Sequence, residues 1–337
     1  MLEKNGSISK IIELLRIGYA HTVGIDCRLK PIRWNNPVNE ANRSDGMAAS
    51  SAERIDAVLA NPRFGEARRC YIENYINLYA HDPALNKLMA EAARHVIVTF
   101  IICMSAAATE DPESWPTLGK LQDEVEKHGV GSAGLVENIV SRMLDRGLLN
   151  ARAALGDRRK RVLSPTPLLL RLDREILLAQ AIPTAMLFPG PAMDRAVACG
   201  QDYQRTSRAI SMRVFGMAME FFARNADAMH FIARDSGLMV LFSILSSAGN
   251  SAGKNISTMS YQELTDRFGI SRTHARSLID EAEVRGWVEV NERGGVSITI
   301  KPALTAIADR YIADAMQFFA YCCDEAHKVL VHEGLNK

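Results

Sequence analysis

The sequence predicts a mainly α fold with small β-ribbons, and three observations carry that reading. From Ala52 onward helix formers dominate the 337-residue chain, and strand-like alternation is confined to a few short stretches. Two segments repeat one another: SAGLVENIVSRMLDRGLL at 132–149 and SRTHARSLIDEAEVRGWV at 271–288 align Ser132 with Ser271 and Arg146-Gly147 with Arg285-Gly286, 139 positions apart. The same spacing carries Gly156 onto Gly295, inside a short alternating ribbon that follows each segment.

The N-terminal stretch has a helical period from Ile8 to about Ile17, then a segment from Asp26 to Ser51 with Pro31, Pro37 and four Asn residues that reads as a long arm. Its apolar run is short and flanked by Glu3 and Glu13, with no small-residue cleavage site, so a secretory leader is not expected. The longest apolar stretch, 96–108, is too short for a membrane span of about 18 residues and predicts a buried helix. Six cysteines without a CxxC pair read as reduced thiols of a cytoplasmic protein.

Each repeat opens with an apolar helix, ALNKLMAEAARHVIVTFIICMSA in the first and DAMHFIARDSGLMVLFSILSSA in the second. In the second, Ser260 and Glu263 form a capping box that starts a helix, Gly269 ends it, and Ser271 caps the next. Ala275, Leu278, Ile279 and Ala282 follow i, i+3, i+4, i+7 and define that helix's inner face. Two short helices joined by a tight Gly turn make a helix-turn-helix. The strands 287–290 and 296–300 enclose Arg293-Gly294-Gly295 as a wing.

The first repeat has the same order: a helix 118–127, a turn 128–131, and a helix 132–146 with Leu135, Ile139, Val140 and Met143 facing inward. Its ribbon carries Asp157-Arg158-Arg159-Lys160-Arg161 at the tip. Three further helices, 68–79, 203–224 and 304–330, are expected to supply a packing scaffold, and 203–224 is amphipathic with a wide apolar face. The chain divides into an N-terminal helix and flexible arm (1–60), a first unit (61–195) and a second unit ending in a packing helix (196–337).

A helix-turn-helix presents the exposed N-terminal part of its second helix to the major groove. There the first unit offers Ser132, Ala133, Glu137, Asn138, Ser141 and Arg142, and the second offers Ser271, Arg272, Thr273, His274, Arg276 and Ser277. Arg158, Arg159, Lys160 and Arg161 suit a minor groove or flanking phosphates, with Asp157 holding a guanidinium in place, and Arg293 is the second wing's one cation. Net charge is +1, but 142–161 holds seven basic residues against two acidic, whereas 260–301 holds six against seven. The two units are therefore expected to contribute unequally. Arg272 and Arg276 have a bland alternative, pairing with Asp280.

The segment SAGLVENIVSRMLDRGLLNARAALGDRRKRVLSPTP resembles the recognition helix and wing of the MarR family of bacterial transcription regulators. Asp157, Arg158 and Arg159 match the wing motif, and Pro165-Thr166-Pro167 its exit, with Pro165 where Leu is usual. The likeness covers 85–170 well and 228–310 more weakly, since the second wing lacks Asp-Arg-Arg. It implies a tandem winged helix-turn-helix on a pseudo-dimeric helical scaffold, binding to double-stranded DNA, and transcription regulation. It also implies a small apolar or aromatic effector, for which Phe215, Met217, Met219, Phe221 and Phe222 supply a Met-aromatic cluster. Because two units share one chain, a monomeric pseudo-dimer or a homodimer is expected.

No GxSxG, P-loop, HExxH or dinucleotide fingerprint is present, so catalysis is not expected, and no cofactor or membrane association is predicted. Cys323 and His327 stand four apart, but no third or fourth ligand has a matching spacing, so no metal is expected. Two other functions use paired winged helices: protein interaction in a chromosome-partition complex, and plasmid replication initiation.

Overall fold

The computed structural model describes residues 51–80, 86, 88–154, 157–249, 255–292 and 297–335. All belong to one compact unit spanning 33–337; the other unit, 1–32, lies outside the described residues, as do the expected N-terminal helix and most of the arm. Among the described residues the fold is mainly helical with two small antiparallel sheets.

Helices α1 (Ser51–Leu59) and α2 (Phe64–Tyr79) come first, so the last residues of the expected arm are instead a packed helix that buries Ile55 and Val58. Helices α3 (Ala92–Ala107), α4 (Leu118–Lys127) and α5 (Ala133–Asp145) follow, then the hairpin β1 (Leu149–Ala154) and β2 (Asp157–Pro165). Next come α6 (Pro167–Ala185), α7 (Pro191–Ala198), α8 (Gln201–Arg213), α9 (Phe215–Arg224) and α10 (Met229–Ile232). The order then recurs with α11 (Gly237–Gly249), β3 (Ile256–Ser257), α12 (Tyr261–Phe268), α13 (Arg272–Val284), β4 (Val288–Glu292) and β5 (Ser297–Ile300). A long helix, α14 (Pro302–Leu335), closes the chain.

The punctuation explains the repeat. Thr117 caps α4 and Ser132 caps α5, with Gly129 between them at φ +64°. In the second half Ser260 and Glu263 complete the capping box of α12, Gly269 turns at φ +70°, and Ser271 caps α13 through the amide of His274. Gly147 and Gly286 end α5 and α13 in the left-handed region that residues with a Cβ avoid. The inner face of α13 is the expected set. That of α5 is Val136, Ile139, Val140 and Met143, so Val136 takes the place expected for Leu135, which is only partly buried.

In the first hairpin Leu149 pairs with Pro165 and Arg152 with Val162, and an isolated bridge joins Val162 to Thr117. In the second sheet, ordered β3-β5-β4, Val288 pairs with Ile300 and Ile256 with Thr299.

The scaffold packs reciprocally. α2, which precedes the first repeat, lies against α11, the opening helix of the second; α8, which precedes the second, lies against α3, the opening helix of the first. The following helices match too, α6 packing on α2 and α14 on α8. One core of buried apolar side chains runs through both halves, including Tyr71, Phe100, Ile139, Phe231, Phe242 and Ile279.

Three further expectations are corrected. The 203–224 stretch is two helices, broken at Val214, where a β-branched residue and the nearby Gly216 weaken the helix. The break brings Phe215 to 4.4 Å from Phe100 and 4.7 Å from His128 between ring centroids. The scaffold also contains α6 and α7, which the amphipathic pattern did not single out. Each apolar opening stretch bends before its main helix, at Glu91 and at 233–236, and the two bends meet: Ser236 N donates to Ala90 O at 2.9 Å, and Arg94 lies 3.3 Å from Asp235.

This corner gives a test. A Cβ at Gly237 would stand 2.1 Å from the Phe231 carbonyl oxygen, a backbone atom, whereas one at Gly134 would meet nothing within 4 Å. Gly237→Ala is expected to destabilise the fold by roughly 1–3 kcal/mol through forced backbone movement. Gly134→Ala, inside an exposed helix face, should be neutral or stabilising by about 1 kcal/mol. Urea unfolding of both variants measures the difference.

Candidate nucleic-acid interface

On α5, Ser132, Ala133, Glu137, Asn138 and Ser141 are exposed and Arg142 is half-buried, so the outward face is the expected one. Ser132 is engaged as the helix cap, and Glu137 accepts from Gln122 Nε2 at 3.0 Å. Asp157, Arg158, Arg159, Lys160 and Arg161 all lie on β2 at the end nearest the hairpin tip. Lys160 and Arg161 are exposed, and among the described residues Lys160 has a long, solvent-exposed contact with Glu113 at 4.0 Å. The side chains of Asp157, Arg158 and Arg159 lie outside the described residues, so the expected hold of Asp157 on a guanidinium does too.

The sequence did not single out Arg152. It stands on β1 with its guanidinium carbon 4.7 Å from the Trp115 ring centroid, and Trp115 is fixed in turn by Nε1 donating to Thr109 O at 3.0 Å. Such stacking holds a cation in place on the first hairpin without neutralising it. No spacing rule links residues 37 apart; only the fold brings them together.

The face of α13 differs. Arg272 and Thr273 are exposed, but Arg276 Nε donates to Asp280 Oδ2 at 3.1 Å and Ser277 Oγ to Glu281 Oε1 at 3.0 Å. His274 is half-buried, its Nε2 lying 2.9 Å from the Asp235 carbonyl rather than reaching outward. Glu281 receives a two-pronged contact from Arg234, Nη1 to Oε1 at 2.8 Å and Nη2 to Oε2 at 2.5 Å. Those bonds lower the Glu281 carboxyl to about 2. Arg293 lies outside the described residues. Lys301, at the end of β5, pairs with Glu289 of β4. Most of the described donors of the second unit therefore already have partners within the chain.

Between the two halves is a cavity of about 240 Å³, walled by α2, α3, α8, α9, α11 and α14. Phe215, Phe221 and Phe222 of the expected Met-aromatic cluster line it; Met217 does not, being 37% exposed, and the side chain of Met219 lies outside the described residues. At its edge Arg208 reaches Asp173 of α6, with Nε at 2.9 Å and Nη2 at 2.6 Å from Oδ1, while Gln204 Nε2 donates to Oδ2 at 2.7 Å. Asp173 is 1% exposed and Arg208 8%.

Cys70, Cys103, Cys199, Cys322 and Cys323 are free, Cys27 lying outside the described residues. Cys323 Sγ sits 3.1 Å from the Tyr203 hydroxyl, and burial pushes its thiol up to about 12. Among the described residues no group of three or more His, Cys, Asp or Glu is placed to hold a metal ion, and no helix is long and apolar enough to cross a membrane. Comparisons with known protein families, with curated proteins and with solved structures find no match.

Proposed function

We propose that this chain is a regulator that binds duplex DNA through two unequal winged helix-turn-helix units, held by one intramolecular pseudo-dimeric scaffold. The observation that carries the reading is the repeated succession of capped helix, Gly turn, capped helix and hairpin, joined in the first unit to a hairpin strand on which Lys160 and Arg161 face solvent. A helix with an exposed N-terminal face fits a major groove, and a cationic hairpin beside it fits the adjacent backbone or minor groove. The reciprocal packing of α2 on α11 and α8 on α3 does within one chain what a two-fold axis does in a homodimer. This arrangement is what the MarR resemblance implies.

The units divide the work: the first supplies most of the phosphate attraction, and the second acts through Arg272, Thr273 and whatever charge is released when Arg276 leaves Asp280. Fluorescence anisotropy of the full chain on a random duplex and on its own upstream DNA, in a salt series, tests the proposal. Binding that weakens steeply with salt is expected. No detectable binding near about 50 mM salt would reject it.

The engaged donors of α13 favour one second reading, in which the second unit docks another protein, as in a partition-type assembly. Loss of DNA binding with retained pull-down of a specific partner would select it.

A further inference from the structure

A hydrogen-bonded segment ahead of α4 gives Arg152 a platform. Val162 of β2 has Arg152 opposite it on one side and an isolated bridge to Thr117 on the other, and Arg152 spans that row to lie over Trp115. Short-range bonds knit the platform: Trp115 Nε1 donates to the Thr109 carbonyl at 3.0 Å, Thr109 N to Ser114 Oγ at 2.8 Å, and Glu113 N to Asp111 Oδ1 at 2.9 Å. Arg152 is exposed, and among the described residues it forms no ion pair; the Glu113 carboxylate lies 3.8 Å from Lys120 and 4.0 Å from Lys160 instead. An indole face attracts a guanidinium through its quadrupole and leaves the positive charge whole. The in-plane N–H donors of that guanidinium match the oxygens of a phosphate. The second unit has no such cation: 139 positions on stands Asn291, a neutral side chain that donates to Ser297 Oγ at 3.2 Å and Thr299 Oγ1 at 2.9 Å.

We propose that Arg152 binds a backbone phosphate of duplex DNA, and that Trp115 is the positioning residue that holds its guanidinium ready for that contact. This rests on the duplex-binding reading above and adds to it a contact on β1, on the strand opposite Lys160 and Arg161. A phosphate suits the place better than a base edge. The groove is assigned to α5, and a guanidinium laid against the sheet beside it meets the flanking backbone. Ordering a flexible arginine at the moment of binding lowers affinity, and the indole orders it beforehand. Arg152 therefore supplies charge, whereas Trp115 supplies only geometry, and the two roles leave different signatures in a salt series.

Anisotropy of the full chain on a random duplex in a sodium chloride series tests this. Arg152→Ala is expected to lower the slope of log affinity against log salt by about 0.9, and Arg152→Lys, which keeps the charge, to leave it unchanged. Trp115→Leu should keep the slope and weaken binding about two- to tenfold, and Trp115→Phe, which keeps a ring face, should recover part of that loss. In the Arg152→Ala background, Trp115→Leu should cost no further DNA affinity, whereas a merely structural tryptophan would cost the same in both backgrounds. The cycle is repeated with Trp115→Phe, the smaller change, so that it stands even where the leucine variant does not fold. An unchanged slope in Arg152→Ala, beside a slope flattened by alanines at 158–161, would overturn the phosphate contact and leave the duplex-binding reading intact. Equal losses from Trp115→Leu in both backgrounds would overturn the positioning role. No binding by the wild-type chain would remove this proposal together with the reading on which it rests.

Discussion

Replacing Arg158, Arg159, Lys160 and Arg161 together by alanine is expected to weaken binding to duplex DNA on every sequence and to flatten its salt dependence. Each neutralised phosphate contributes about 0.9 to the slope of log affinity against log salt, so four contacts account for a slope of about 3.6. Over a fourfold rise in salt, that is roughly a hundredfold in affinity that the wild type loses and the variant does not. The fold supports the size of this effect for the two cations whose side chains are described, since Lys160 and Arg161 are exposed and the Glu113 contact is long. Arg272→Ala should behave differently, changing the preference among sequences more than the slope, because it stands at the start of the helix proposed to enter the groove. A quadruple variant with an unchanged slope would show that the wing is not a phosphate contact. Salt-series anisotropy measures both quantities.

Asp173→Ala is expected to cost roughly 3–5 kcal/mol of folding stability. Attraction lost between the charges is the smaller part of that cost. The larger part is Arg208, a guanidinium 8% exposed, left without the carboxylate it meets, together with Gln204, which keeps the Leu170 carbonyl at 2.8 Å but loses the Asp173 acceptor at 2.7 Å. Asp173→Leu with Arg208→Met should recover most of the loss, because two apolar side chains of similar volume remove the buried charges rather than orphaning one. Urea unfolding of the single and double variants decides between the two outcomes. Similar losses in both would mean that packing around α6 and α8, and not the uncompensated charge, sets the cost.

Local chemistry made the repeat legible. Ser132 and Ser271, Gly147 and Gly286, and the Ser260–Glu263 box each act within a few residues along the chain, and each lies in the structure where its chemistry requires. The period of Ala275, Leu278, Ile279 and Ala282 was equally readable, because one helix turn fixes which side chains share a face. Leu135 was misread for Val136 because both satisfy the apolar pattern, and only the packing of α5 on its neighbours chooses between them.

The engagement of the second unit's donors was half legible. Arg276 and Asp280 are four apart on a helix and were weighed as a pair, whereas His274 with the Asp235 carbonyl and Glu281 with Arg234 join residues 39 and 47 apart. The same separation hid Arg152 on Trp115 and the whole cavity, whose wall takes residues from Tyr71 to Phe318.

The sequence by itself determined the mainly helical character, the duplicated capped helices and hairpins, and the unequal charge of the two units, because caps, turns and periodicity are interactions of near neighbours. Only the tertiary structure decided that α2 and α8 exchange partners across the halves, that Asp173 meets Arg208, and that a cavity is left at their junction. Those features depend on which apolar faces bury one another at long range, and many pairings satisfy the same pattern of polar and apolar residues.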